Sequence, residues 1–122
     1  MAKLVALAAD TGKSSCRLVS GHFDGRRLSM REEGRLELYQ SYLPDGWLYL
    51  DVVNIFAQLK LLIARCTAAG LRPASIGVDT WGGDYGLLDQ YGTLLGLPLF
   101  YKNTRFTDYF PQFLEQVDMQ EV

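Results

Sequence analysis

Two stretches of the chain concentrate residues able to do chemistry. The first is Asp10-Thr11-Gly12-Lys13-Ser14-Ser15-Cys16-Arg17, which follows a short apolar run. Glycine permits the tight turn, and two consecutive hydroxyls with backbone N–H groups can surround an anion. Arg17 adds a permanent positive charge. Asp10 suits Mg²⁺ held through water, because magnesium takes few carboxylate oxygens and keeps most of its hydration. The second stretch runs from Ser75 to Asp89 and includes Asp79-Thr80-Trp81-Gly82-Gly83-Asp84. A carboxylate that binds hydroxyls, an indole face that covers C–H groups and a glycine pair that admits a ligand together suit a sugar. Each stretch also has a plain reading: a polar hairpin for the first, and a Gly-rich turn with Trp81 in the core for the second.

Three motifs compete for the first stretch. Gly12-Lys13-Ser14 matches the end of a P-loop, but Leu7 stands where the upstream glycine belongs and no helical pattern follows. Asp10-Thr11-Gly12 matches the catalytic turn of an aspartic protease, one carboxylate per subunit of a dimer. Lys13 and the long helical stretch downstream fit a small all-β protease poorly. An apolar strand, then D-x-G-x-[ST]-[ST], then a hairpin is the phosphate loop of actin-like ATPases, and it matches throughout.

The elements that must position these residues follow from periodicity. Lys3 to Ala9 has strand length, Cys16 to Phe23 is a second strand ending at the turn signal Asp24-Gly25, and a third runs from Arg27 to about Tyr42 with a bulge at Gly34. These make an antiparallel meander. Pro44-Asp45-Gly46 marks a turn, and Trp47 to Leu50 is a short connection. Asp51 to Ala69 reads as a helix capped by Asp51 and stopped at Gly70, with Val52, Ile55, Phe56, Leu59, Leu62, Ile63 and Cys66 on one face. Ile76 to Asp79 reads as a short buried strand reached by a right-handed crossover, parallel to a neighbour. Leu87-Leu88-Asp89 and Leu94-Leu95 form a hairpin, and Leu99 to Tyr101 another strand. The tail from Thr107, with Tyr109, Phe110, Phe113, Leu114 and Val117, is helical and starts near Pro111. The class is α/β with a mixed sheet.

Composition narrows the field. A length of 122 residues fits one domain, and 48% hydrophobic residues with 21% charged are globular proportions. Twelve Lys and Arg against fourteen Asp and Glu give a net charge of −2, which offers no basic footprint for nucleic acid or a membrane surface. No apolar run reaches the roughly 20 residues that span a bilayer. The six apolar residues Leu4 to Ala9 end at Asp10 without a small-residue cleavage site, so they read as mature structure. Cys16 and Cys66 lie fifty residues apart and His22 is the single histidine, a poor set for zinc. Two free thiols in a reducing cytoplasm is the expected state.

The two stretches together resemble the N-terminal part of the FGGY carbohydrate kinases, most closely their L-rhamnulose kinase branch. That branch carries D-x-G-A-S-S-G-R, matched here by Asp10 to Arg17, and S-I-G-I-D-T-W-G-V-D-F-x-L-L-D, matched by Ser75 to Asp89. Its G-L-P-x-x-Y-R-D-S-R segment stands as Gly96 to Arg105, and Leu50-Asp51-Val52 replaces its W-D-V. Lys13, Cys16, Gly83, Lys102 and Asn103 depart from the pattern. The resemblance implies a ribonuclease H-like, actin-like ATPase fold. The chain would be its partial first domain (three-strand meander, crossover helix, further parallel strand and hairpin), over residues 1–122, without the second domain that closes on ATP.

It also implies ATP and Mg²⁺ as cofactors. Asp10 would organise the metal through water, Gly12, Lys13, Ser14, Ser15, Cys16 and Arg17 would line the phosphates, and Thr80, Trp81 and Gly82 would meet a ketose such as L-rhamnulose. The family's catalytic aspartate lies beyond Val122, and no aspartate here matches its motif. The chain alone is therefore expected to show no kinase turnover. A remnant that only binds sugar or a partner is the alternative. Self-association is expected through an open sheet edge or the C-terminal segment, surfaces left open by truncation, including those around Phe100, Phe110, Phe113 and Leu114.

Overall fold

The computed structural model describes residues 4–116. Lys3 and Val117, assigned above to the first strand and the tail helix, lie outside them. The chain divides into two compact units, one built from residues up to 39 and 51–83, the other from 40–50 and from 84 onward.

In the first unit, β1 (Leu4–Thr11), β2 (Ser15–Phe23) and β3 (Leu28–Glu37) form the expected antiparallel meander. The helix α1 (Val52–Ala68) then returns the chain to β6 (Ser75–Asp79), parallel to β1, so the sheet order is β3-β2-β1-β6. Strand alternation puts Leu7 and Ala9 of β1, Cys16 and Leu18 of β2, and Leu36 of β3 on one face. They form a single buried cluster with Leu62 and Cys66 of α1. The β2–β3 register shifts between Leu18 and Val19, which leaves Glu33 as the extra residue of a bulge beside Gly34. A Cβ on Gly34 would lie 2.8 Å from Leu62 Cδ1. Glycine is thus what lets the helix settle onto β3.

The caps of α1 are as expected. Asp51 accepts the Asn54 N–H at 2.9 Å. At the other end, Gly70 adopts φ 100° while Leu71 N–H reaches the Cys66 carbonyl at 3.0 Å and Gly70 N–H that of Thr67 at 3.1 Å. This is the six-to-one and five-to-two closure that a left-handed residue permits.

Several expectations change. β6 is not buried: Ile76 is 51% and Val78 70% exposed, because β6 is the sheet edge and α1 packs over β3 and β2 instead. Phe56 is also exposed, on the flank of α1 away from the core cluster. The third strand does not run to Tyr42. It ends at Glu37, and residues 40–42 belong to the second unit.

There β4 (Gln40–Tyr42) pairs antiparallel with β5 (Leu48–Leu50), the segment expected to be only a connection. Leu88 and Leu94 bridge as the predicted hairpin, whereas Leu99 makes an isolated bridge to Tyr49 rather than opening a strand. Phe100 is fully buried, not exposed; its N–H bonds the Leu48 carbonyl at 2.9 Å and its ring meets Tyr101 edge-on. The helix α2 spans Arg105–Leu114 with Pro111 inside it, so it begins well before the proline expected to start it. Phe110, Phe113 and Leu114 are exposed on it, as expected. No helix among the described residues is long and apolar enough to cross a membrane.

Candidate functional site

The predicted site residues, Asp10, Gly12 to Arg17 and Thr80 to Gly82, lie in the first unit, at one end of its sheet. β1 and β6 are parallel, with Asp10 in register with Asp79. The loop after Thr11 and the tip after Asp79 therefore leave the sheet side by side. The carboxyl ends of parallel strands are where α/β sheets place ligands.

The loop is a narrow hairpin. Thr11 pairs with Cys16, and Gly12 N–H donates to the Ser15 carbonyl at 2.9 Å. Lys13 and Ser14 form the exposed connection, anchored where the Leu38 N–H donates to the Ser14 carbonyl at 3.3 Å. Gly12 was expected to serve the turn, but it is absent from the residues with positive φ, and an added Cβ would meet only the Ser15 carbonyl at 3.7 Å. The chain's own packing does not require glycine there; a small residue leaves room above the loop.

Side chains sort by face. Cys16 points into the core, fully buried, and accepts from the Thr11 hydroxyl at 3.2 Å. What it offers the loop is its backbone. Asp10 and Arg17 are cross-strand partners and form an ion pair on the opposite face. Arg35 stands next to Arg17 in the β2–β3 register. A row Arg35, Arg17, Asp10, Asp79 thus crosses the sheet beside the loop. Composition and motif reading missed this row, because Arg35 lies twenty residues from Ser15 in sequence and only strand register brings them together. Among the described residues no group of three or more His, Cys, Asp or Glu is arranged to hold a metal. The Asp10 carboxylate beside the loop would suit a magnesium ion that keeps its waters better than one caged by protein.

At the tip, Thr80 and Gly82 are exposed and Trp81 is half-buried, outside the core cluster. An added Cβ at Gly82 would meet nothing within 4 Å, and Gly83 adopts φ 136°. The tip is open at Gly82. The second unit holds a separate cavity of about 250 Å³ lined by Tyr49, Tyr85, Leu87, Pro98, Leu99 and Arg105, among others, and none of the predicted site residues is in it.

No protein-family model matches the sequence. In fold, the chain is similar to part of the carbohydrate kinases. Against a xylulose kinase from Rhodospirillum rubrum the TM-score is 0.68 at 20% identity, covering 98% of this chain and 25% of that one. A carbohydrate kinase from Novosphingobium aromaticivorans gives 0.70 at 19% identity over 97% and 24%. A gluconate kinase from Lactobacillus acidophilus gives 0.68 at 14% identity over 94% and 24%. The chain thus spans about a quarter of the length of each of these proteins. A mixed sheet crossed by a 17-residue helix is not the all-β protease considered above.

Proposed function

We propose that the chain is the phosphate- and sugar-contacting part of the first domain of an ATP-dependent ketose kinase of the FGGY family, of the L-rhamnulose kinase kind. The Asp10–Asp79 register carries this reading, since it sets the D-x-G-x-S-S loop beside the D-T-W-G tip. The fold shared with sugar kinases supports it.

The loop's donor set fits a polyphosphate. Backbone N–H groups of residues 13–15, the Ser14 and Ser15 hydroxyls, Lys13 and Arg17 would bind it, and Asp10 would orient a magnesium ion through its waters. Bound Mg-ATP supplies the transferable phosphoryl group and the neutralising charge. Thr80, Trp81 and Gly82 would orient the ketose, the indole excluding water from one side of it. Positioning and charge neutralisation dominate such transfers, but a group to take the hydroxyl proton is also needed. None of this chain's aspartates matches the family's motif for that role, so we propose that it binds without turnover; the exposed Ile76 and Val78 of the edge strand β6 support pairing with a further copy.

The test is an amide NMR titration. Mg-ATP should move the resonances of residues 12–17, and L-rhamnulose those of 80–82. Shifts confined to the second unit, or none at all, would overturn the reading. ADP release above background with L-rhamnulose and Mg-ATP would overturn the lack of turnover, and comparison with L-fuculose and D-xylulose tests the choice of sugar.

A further inference from the structure

β3 brings to the loop a residue that the loop's own motif does not contain. Arg35 Nη1 donates to Ser15 Oγ at 3.1 Å. Its Nε and Nη2 donate to the two carboxylate oxygens of Glu32 at 3.2 and 3.1 Å. The forked contact fixes the plane of the guanidinium, and its remaining corner meets the serine. Side chains of Arg35 and Glu32 are 52% and 42% exposed, so the ion pair itself contributes little to stability. Its effect is geometric. A serine hydroxyl has one proton and two acceptor lone pairs, and a guanidinium only donates. With one lone pair of Ser15 held by Arg35, the hydroxyl proton remains to be donated to something else.

We propose that Arg35 is a positioning residue for polyphosphate: it holds Ser15 in the rotamer that donates to a phosphate oxygen. The proposal rests on the reading of residues 12–17 as a phosphate site.

Two measurements on the whole chain test it. In the ligand-free protein, three-bond Hα–Hβ couplings report the Ser15 rotamer, which should be single in the wild type and averaged in Arg35→Gln. Calorimetric titration with inorganic tripolyphosphate should show about tenfold weaker binding in Arg35→Gln, the size of a lost hydrogen bond to a charged group. Ser15→Ala should weaken binding comparably, and adding Arg35→Gln to it should cost less than about threefold more, because coupled residues are not additive. Arg35→Lys keeps the charge but cannot span Glu32 and Ser15, and should recover only part of the affinity. An unchanged Ser15 rotamer, unchanged tripolyphosphate affinity in Arg35→Gln, or full recovery in Arg35→Lys would overturn the role of Arg35 while leaving the loop a phosphate site. A wild type that binds no tripolyphosphate would overturn the loop reading and this role together.

Discussion

Glu33 shows how one extra residue in a strand acquires a task. As the bulged residue of β3 it turns its carboxylate inward until the side chain is only 6% exposed. Arg31 Nη2 donates to it at 2.7 Å and the fully buried Ser20 hydroxyl at 2.6 Å. Since Ser20 spends its one proton on Glu33, His22 Nε2, 2.9 Å from Ser20 Oγ, must be the donor in that second contact. The Arg31 bond, followed by the Ser20 bond, holds the Glu33 carboxyl below its ordinary value of 4.5. A lowered carboxyl pKa adds stability above the unfolded-state value, and that stability is lost as pH falls through the folded-state value. The urea midpoint should therefore drop as pH is taken below about 4.5, and Glu33→Gln should flatten that acid limb. An unaltered limb in the variant would assign the acid sensitivity elsewhere. Next to it, Gly34→Ala should destabilise the protein by about 1–3 kcal/mol in urea unfolding, as buried Leu62 has little room to withdraw. The bulge was legible as a glycine in a long strand. Glu33 was not, because which residue becomes the extra one depends on how β2 and β3 align.

At the scale of elements, local signals carried furthest where both ends of an element are chemically marked. α1 has a carboxylate cap and a glycine stop, and its bounds differ from expectation by a residue. Removing the cap in Asp51→Ala should cost about 1 kcal/mol, measured by urea denaturation. β6 misled because a run such as Ile-Gly-Val looks the same whether a strand is central or at an edge; its surroundings come from α1, which lies elsewhere. α2 misled in the opposite way. Proline is easiest at a helix start, yet Pro111 sits in the interior, where it withholds one N–H from the preceding turn. Pro111→Ala should restore that bond and raise amide-exchange protection across 105–116, at most by the ~3 kcal/mol a helical proline costs. Unchanged protection would mean that tertiary contacts, rather than helix geometry, set the stability of this segment. The site divides along the same line: its motifs were visible as words in the sequence, while the row from Arg35 to Asp79 exists only in the sheet.

Across the whole molecule, the two edges of the first unit's sheet differ. β3 is long, carries Arg31, Glu32, Arg35 and Glu37, and is bent by its bulge. Charge and irregularity of this kind block strand addition. β6 has no charge before Asp79, no proline and no bulge, and shows two large aliphatic side chains to water. An antiparallel partner centred on Gly77 would set Ile76 against Val78 and Ser75 against Asp79 of a second copy, with no like charges opposed. Light scattering at high concentration should show a dimer, and Val78→Lys should return it to a monomer; a wild type that stays monomeric would remove β6 as a contact. A sheet with one closed and one open margin also has a built-in stop. Joining β6 to β6 would use up the receptive margin of both copies and turn only the charged, kinked ones outward, so accretion through the sheet would end at a pair and not run on into a fibre.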